Sequence, residues 1–455
     1  MTTETLPIRP EDPFLEALQS KDPSSEEAQT WLVPIRQAGI AAYSQGGLPT
    51  TAHEDWRFTS LANLREVTFD LSLAPSTLSA MELESLPDPL QGKESIRLVL
   101  VDGQLDEGLS SRSLLPQGIT LMSMKEAIQS HQTSIKAHLG QYTYGNDSPF
   151  AALNSALFCD GVYLHLPAGV ELEIPIHIMH VTSGSSQGRV SLARNFFHLE
   201  QRASATVLET FCGPNKGAYL TSPTLECRVE DQAKLEHIKI QDESPEAFHM
   251  ACVYASIDRE AHFKSHYLSL GGKLSRNHIR THLNGEGLCC TLNGLYLAQG
   301  HQVMDQHMVV DHAKPHTESH EYFNGILDDQ ARGVFHGRIH VRQIAQKTDA
   351  KQTNKNLLLS EEAIADTKPQ LEIYADDVRC THGATIGQLD EEAIWYLRSR
   401  GIPRATARRM LVHAFAGEII DRIDHPCIRE SLDQLIWDQL EKLPHFHTHT
   451  STDPS

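Results

Sequence analysis

The sequence predicts a mainly β chain, a parallel β-helix or solenoid flanked by α-helical domains at both ends, and three observations predict it. Between about Phe150 and Gly387, apolar residues alternate with period two in short runs, separated by turns bearing Gly, Asp and Asn, and long helical stripes are largely absent. Within that stretch a phrase recurs: a polar residue, a small residue, then alternating apolar positions, as in SATVLE, QAKLEH, EAHFKS, EGLCCT and QARGVF. Its small residues, Ala205, Ala233, Ala261, Gly287 and Ala331, advance by 28, 28, 26 and 44 positions, the last close to two turns of about 22. On either side the apolar period becomes helical. Stacked coils account for so regular an advance, with a small residue at each corner letting successive turns approach. A Greek-key β domain in which the phrase recurs by chance is the alternative.

Taken in order, residues 1–90 read as an N-terminal helical domain and linker. EDPFLEALQS and SSEEAQTWLVPIRQAGIAAYSQ carry apolar residues at three- and four-residue intervals, with Ser24 and Ser25 available as N-caps. The linker LSLAPSTLSAMELESLPDPLQGKES leads to IRLVLVDGQL, a strand closed by a turn at Asp102-Gly103, and the β-helix core is expected over residues 91–387. Residues 388–443 read as a C-terminal helical domain. There Asp390 is placed to N-cap EEAIWYLRSR, Gly401 to end it, Pro403 to open the next helix and Pro426 to precede a third. In the second of these helices the apolar stripe is expected along Leu411, Phe415 and Ile419, extended by Ile420 and Ile423. Residues 444–455 are expected to be a mobile tail, with His445, His447 and His449 able to pick up metal adventitiously.

At 455 residues the chain can bury at least one large core. Lysine and arginine total 39 against 59 acidic residues, a net charge of -20 that repels phosphate backbones and anionic lipid surfaces. Nucleic acid and membrane are therefore not expected partners. Eight cysteines without paired spacing suit a reducing cytoplasm, and the adjacent Cys289 and Cys290 belong on opposite faces of a strand. The N-terminus lacks a basic region followed by an apolar stretch, so no targeting signal is read there.

Enzyme signatures are mostly missing. The nearest approach to a phosphate-binding loop, Gly272-Lys273, has Tyr267 in place of the first glycine and Leu274 in place of the hydroxyl, so this chain is not expected to hydrolyse ATP. GSSQG, Gly184 to Gly188, matches G-x-S-x-G, yet Ser186 lies between two strands rather than between a strand and a helix. Among the 26 histidines, His312, His316 and His320 stand four apart, but Pro315 breaks a helix and in a strand they would span roughly 26 Å. Surface or turn roles are expected for them.

LEIYADDVRCTHGATIG reads as a strand, a bend at Asp376-Asp377 and a second strand in which Val378, Cys380 and His382 share a face. The thiol and imidazole then lie roughly 7 Å apart, within reach of one iron or zinc centre, which usually takes about four protein ligands. A core cysteine beside a histidine bonded to backbone accounts for the pair from spacing alone. Its location, on the last strands before the helical domain, favours instead a half-set of ligands completed by another chain.

ADDVRCTHGATIGQLDEEAIWYLRSRGI resembles the C-terminal region of the SufB/SufD family, scaffold proteins of Suf iron-sulfur cluster assembly. EDWRFTSL, LVLVDGQLDEGLS, FAALNSALFCDGVYLHLPAGV and GRIHVRQIAQKTDAKQTNKNLLLS agree, and together they cover most of the chain. Where SufB has a CDSML-like segment and HEAT, this chain has QTNKNLLL and HGAT, which resembles the SufD side and leaves the assembly thiol to SufB.

The resemblance implies a right-handed parallel β-helix in a complex with SufB and the ABC-type ATPase SufC. The C-terminal helices would dock SufC, whose ATP-driven dimerisation would expose thiol and imidazole groups at the SufB–SufD interface. His382, and less certainly Cys380, would bind a transient iron-sulfur cluster there, with no permanent cofactor and no catalysis by this chain. Self-pairing of the isolated chain through its final strands is left open. A SufB-type scaffold and a β-helical polysaccharide-acting enzyme are the competing readings.

Overall fold

The computed structural model describes residues 12–20, 30–73, 76–143, 147–184 and 187–442. Ser24, Ser25, Ser186 and the tail histidines lie outside them. The mainly β fold expected from the sequence is the one observed: a parallel β-solenoid of about eight turns with helices toward both termini.

Strands alternate between two sheets as the chain advances. The front sheet has ten strands, from Gln104–Leu105 at one edge to Arg379–Gly387 at the other, and the back sheet has eleven, ending on Ile364–Ile373. In the front sheet Ser204, Lys234, His262, Cys289, Glu318, Asp349 and Arg379 stand in line, so each coil takes 27 to 31 residues.

That is close to the advances of 28, 28 and 26 and corrects the reading of the interval of 44 as two turns of about 22. Ala331 opens a strand of the back sheet, so the interval of 44 spans one and a half coils rather than two. Ala203, not Ala205, is the residue in line with Ala233.

The recurring phrase marks a corner. Arg202, Gln232, Glu260, Gly287, His316 and Lys347 all have positive φ, between 56° and 69°, and each precedes a buried residue, the first three an alanine. The left-handed conformation costs a non-glycine residue roughly 1–2 kcal/mol, offset here by inter-coil hydrogen bonds. The amide of Gln232, for example, donates to the Arg259 carbonyl at 2.8 Å and that of His316 to the Gln346 carbonyl at 2.9 Å. The polar side chain belongs to the outer bend and the small one lets coils stack.

The solenoid interior is apolar over much of its length, with Leu98, Ile178, Phe197, Val207, Leu235 and Phe263 in one cluster. Helices cover both outer faces. N-terminal helices Val33–Gly46 and Pro149–Leu157 pack Tyr43, Phe150 and Leu153 with Phe248, Met250 and Tyr254 of the back sheet. Phe150 is thus helical, N-capped by Ser148, and continuous β structure starts at Val162.

Of the C-terminal helices Glu391–Ser399, Arg404–Ile420 and Pro426–Lys442, the last two bury a stripe against Leu208, Ile238, Leu268 and Leu295 of the front sheet, and the first packs on the second. Asp390 caps the first as expected, its carboxylate accepting from the Glu392 amide at 2.8 Å. The stripe of the second runs through Val412, Ala416, Ile419 and Ile420, with Leu411 and Phe415 only half-buried at its flank. None of the described helices is long and apolar enough to cross a membrane.

Candidate site at the open end of the solenoid

The two final strands, Ile364–Ile373 and Arg379–Gly387, are the last of their sheets, and no described residue pairs with their outer edges. Their backbone donors and acceptors on that side face outward as an unpaired ladder. Apolar side chains are left with them: Ile364, Ile373, Tyr374 and Ile386 are all exposed, Tyr374 to 60%. These exposed apolar groups are spread along the unpaired edge from Ile364 to Ile373 and Ile386 rather than covered by the chain itself.

Cys380 and His382 share the inward face of Arg379–Gly387, as the alternation predicts. Cys380 stands in line with Ala350 and Ser319 and is half-buried against Ile339, Val341 and Leu371. Burial first, then the Asp349 charge, raises its thiol above the ordinary range, so a metal would have to displace its proton. His382 is exposed and makes no side-chain hydrogen bond among the described residues, so the reading of a backbone-bonded core histidine fails. No group of three metal-ligating side chains among the described residues includes either of them.

Behind His382, in the same inward column, stand Gln352 and then Glu321. Gln352 Nε2 donates to Glu321 Oε2. Burial pushes the Glu321 carboxyl up to about 8, so it keeps its proton at neutral pH. An exposed imidazole, an amide bonded to the acid behind it, and a neutral acid thus follow one another from the rim into the bore.

Deeper polar groups went unnoticed in the sequence. Glu209 accepts from His180 Nε2 at 2.9 Å, His237 Nε2 at 2.8 Å and Asn195 Nδ2 at 2.6 Å. These hydrogen bonds hold its carboxylate below the usual range against the cost of burial. Lys239 Nζ lies 2.7 Å from His249 Nε2, and burial lowers its ammonium to about 7. KLEHIKIQ contained the signal, since His237, Lys239 and Gln241 alternate with Ile238 and Ile240. In a strand covered on both faces, alternation does not say which set points inside.

Elsewhere the sequence expectations divide. Cys290 is buried in the interior and Cys289 half-buried on the opposite face, as read, and all eight cysteines are free thiols. His312, His316 and His320 do not converge. His312 is buried against Thr317 and Ser319, His316 is a corner residue, and His320 stands near Cys289 and Glu318 as one group able to hold a metal. A second such group, Asp55, His307 and His336, lies on the back sheet.

Residues 180–415 match the family described as SUF system FeS cluster assembly, SufBD core domain, and residues 17–178 match the SufBD protein N-terminal region. The iron-sulfur cluster assembly protein SufD of Escherichia coli is 34% identical over 410 residues, covering 90% of this chain and 93% of that protein. An iron-sulfur cluster assembly SufBD family protein of Synechocystis sp. is 32% identical over 434 residues, covering 93% and 95%.

Proposed function

Since the chain belongs to the SufBD family of iron-sulfur cluster assembly proteins and is of the SufD type, we propose that it is a non-catalytic cytoplasmic scaffold whose open solenoid end joins SufB. The observation that carries this reading is the terminal strand Arg379–Gly387, unpaired on its outer side among the described residues, which brings Cys380 and His382 to the rim without completing a group of three ligating side chains among those residues. A facing strand of SufB continues the sheet by backbone pairing and supplies the missing ligands. The nascent cluster is then cargo held between two chains, with His382 its stronger ligand on this side. ATP hydrolysis belongs to SufC.

The test is reconstitution of the three-chain complex with His382→Ala. The substitution removes an exposed imidazole, so the melting temperature should stay within about 2 °C of the parent, while cluster assembly from iron and sulfide slows at least tenfold. An unaltered assembly rate refutes the ligand role.

SufC docks on the C-terminal helices in this reading. Trp395 and Tyr396 are 71% and 55% exposed on Glu391–Ser399, and such aromatic side chains commonly anchor protein interfaces. Trp395→Asp with Tyr396→Asp should abolish co-purification of SufC while SufB is retained. Retention of SufC at the parent level would place its docking surface elsewhere.

A further inference from the structure

On the back sheet, remote in topology from the strand bearing Cys380 and His382, the coil repeat stacks histidines. His278, His307 and His336 occupy one register line, with Lys368 next. Across this column passes the N-terminal segment, anchored by contacts that fix its path. Thr59 Oγ1 donates to Asp305 Oδ2 at 2.5 Å, the Arg276 guanidinium lies 4.0 Å from the Trp56 ring centroid, and Lys368 pairs with Glu54. Asp55 is thereby held over His307 and His336.

One ligating atom from each of Asp55, His307 and His336 falls within 4.8 Å of the other two, and Asp55 Oδ1 lies 3.8 Å from His336 Nδ1. His336 is oriented from behind, its Nε2 lying 2.9 Å from Gln370 Oε1 while its Nδ1 faces Asp55. His307 is 2% exposed, and its Nδ1 is buried without a hydrogen-bond partner among the described residues. An unpaired imidazole nitrogen on a buried side chain needs an explanation.

Arg338 Nη2 forms an ion pair with Asp55 Oδ1 at 3.7 Å, beyond hydrogen-bond distance, so an ion entering the site would compete with that pair for the carboxylate.

We propose that Asp55, His307 and His336 form a mononuclear site for a divalent first-row transition ion, with two imidazoles and one carboxylate as protein ligands. Metal–ligand bonds of about 2.0–2.2 Å draw the three atoms together by under about 2 Å, which the half-exposed Asp55 side chain can supply. Imidazole nitrogen selects Fe2+, Zn2+ or their neighbours over Mg2+ and Ca2+, which take oxygen. Beside Asp55 opens a cavity of about 320 Å³, lined also by His53, Glu54, Trp56 and Asp147, which gives an ion and its waters a way in. The ion would tie the N-terminal segment to the solenoid wall.

The test uses the full chain, freed of metal by a chelator, with His445, His447 and His449 changed to alanine to remove the tail imidazoles. Equilibrium dialysis under anaerobic conditions, against Fe2+ and Zn2+ in separate arms, should give one tight equivalent of at least one of them, and Mg2+ none. Asp55→Asn and His307→Ala should each weaken that equivalent at least tenfold, and Gln370→Ala, which frees the His336 ring, about tenfold. Asp55→Asn changes a single partly exposed group, so it decides the matter should His307→Ala not fold.

Co2+ in the same site should show ligand-field bands without thiolate charge transfer. That separates it from the group Cys289, Glu318 and His320 and from Cys380. No tight equivalent, one that survives Asp55→Asn, or a thiolate band overturns the proposal. Each of these outcomes leaves the role of His382 untouched.

Discussion

At the scale of single residues, the interior of the solenoid is where sequence and structure part. Glu321 is fully buried, its nearest polar partner is Gln352, and its carboxyl is raised from about 4.5 to about 8. A carboxyl with a raised folded-state pKa contributes stability that is fully present below its unfolded value and is lost as pH rises to the folded one. Glu321→Gln keeps the shape and removes the ionisation. Its stability should therefore fall less than the parent's between about pH 5 and pH 8, and at pH 8 it should be the more stable by on the order of 2–4 kcal/mol. Urea titrations at the two pH values measure this, and parallel curves for parent and variant would show that Glu321 ionises freely. Cys380 and His382 were legible because a strand at the rim has one plain alternation and a recognisable motif. Lys239 and Glu209 were not, because their strands are buried on both faces, and Glu321 was not, because a carboxyl on the inward face runs against the rule that charges mark the outer one.

At the scale of elements, local chemistry was the readable part. Asp390 before a helical stripe, and Gly401 after it with φ of 86°, needed no tertiary context to be recognised. The stripe of Arg404–Ile420 was misjudged by one position, since Leu411 and Val412 are equally apolar and only the packed sheet chooses Val412. The interval of 44 was misread as two turns because corners of both sheets carry the same phrase. Within the coils, neighbouring side chains must also alternate in size. A methyl group on Gly294 would stand 2.1 Å from Cδ1 of Phe323, the next residue in its column. Gly294→Ala should cost about 1–3 kcal/mol by overpacking, read as a drop in melting temperature, and Phe323→Leu in the same chain should recover part of it. A Gly294→Ala chain that melts with the parent would mean the column has slack.

At the scale of the whole molecule, the solenoid behaves as a row of coils, each held mainly by its neighbours. Interior strands such as Lys234–Asp242 have a partner on both sides, whereas Arg379–Gly387 has one. In the isolated chain, amide exchange should be slowest in the middle coils and at least tenfold faster in the last two strands. Adding SufB should slow those two strands selectively. Equal protection in terminal and middle strands before any addition would show the end to be closed already. The architecture was legible from the change of hydrophobic period, which a solenoid enforces over hundreds of residues. The crossing of the N-terminal segment over the histidine column was not, because Asp55 and His336 are far apart in sequence and no periodicity connects them.

The two ends of this row differ in kind. At the first coil the chain doubles back, Gln104–Leu105 running antiparallel to Ile96–Val101 and Thr120–Ser123 antiparallel to Val162–Leu166. Such short reversed strands offer no parallel ladder to a newcomer. Among the described residues only the last coil presents a parallel edge, so parallel extension of the sheets can proceed in that direction only, which limits the filaments that a solenoid open at both ends would nucleate.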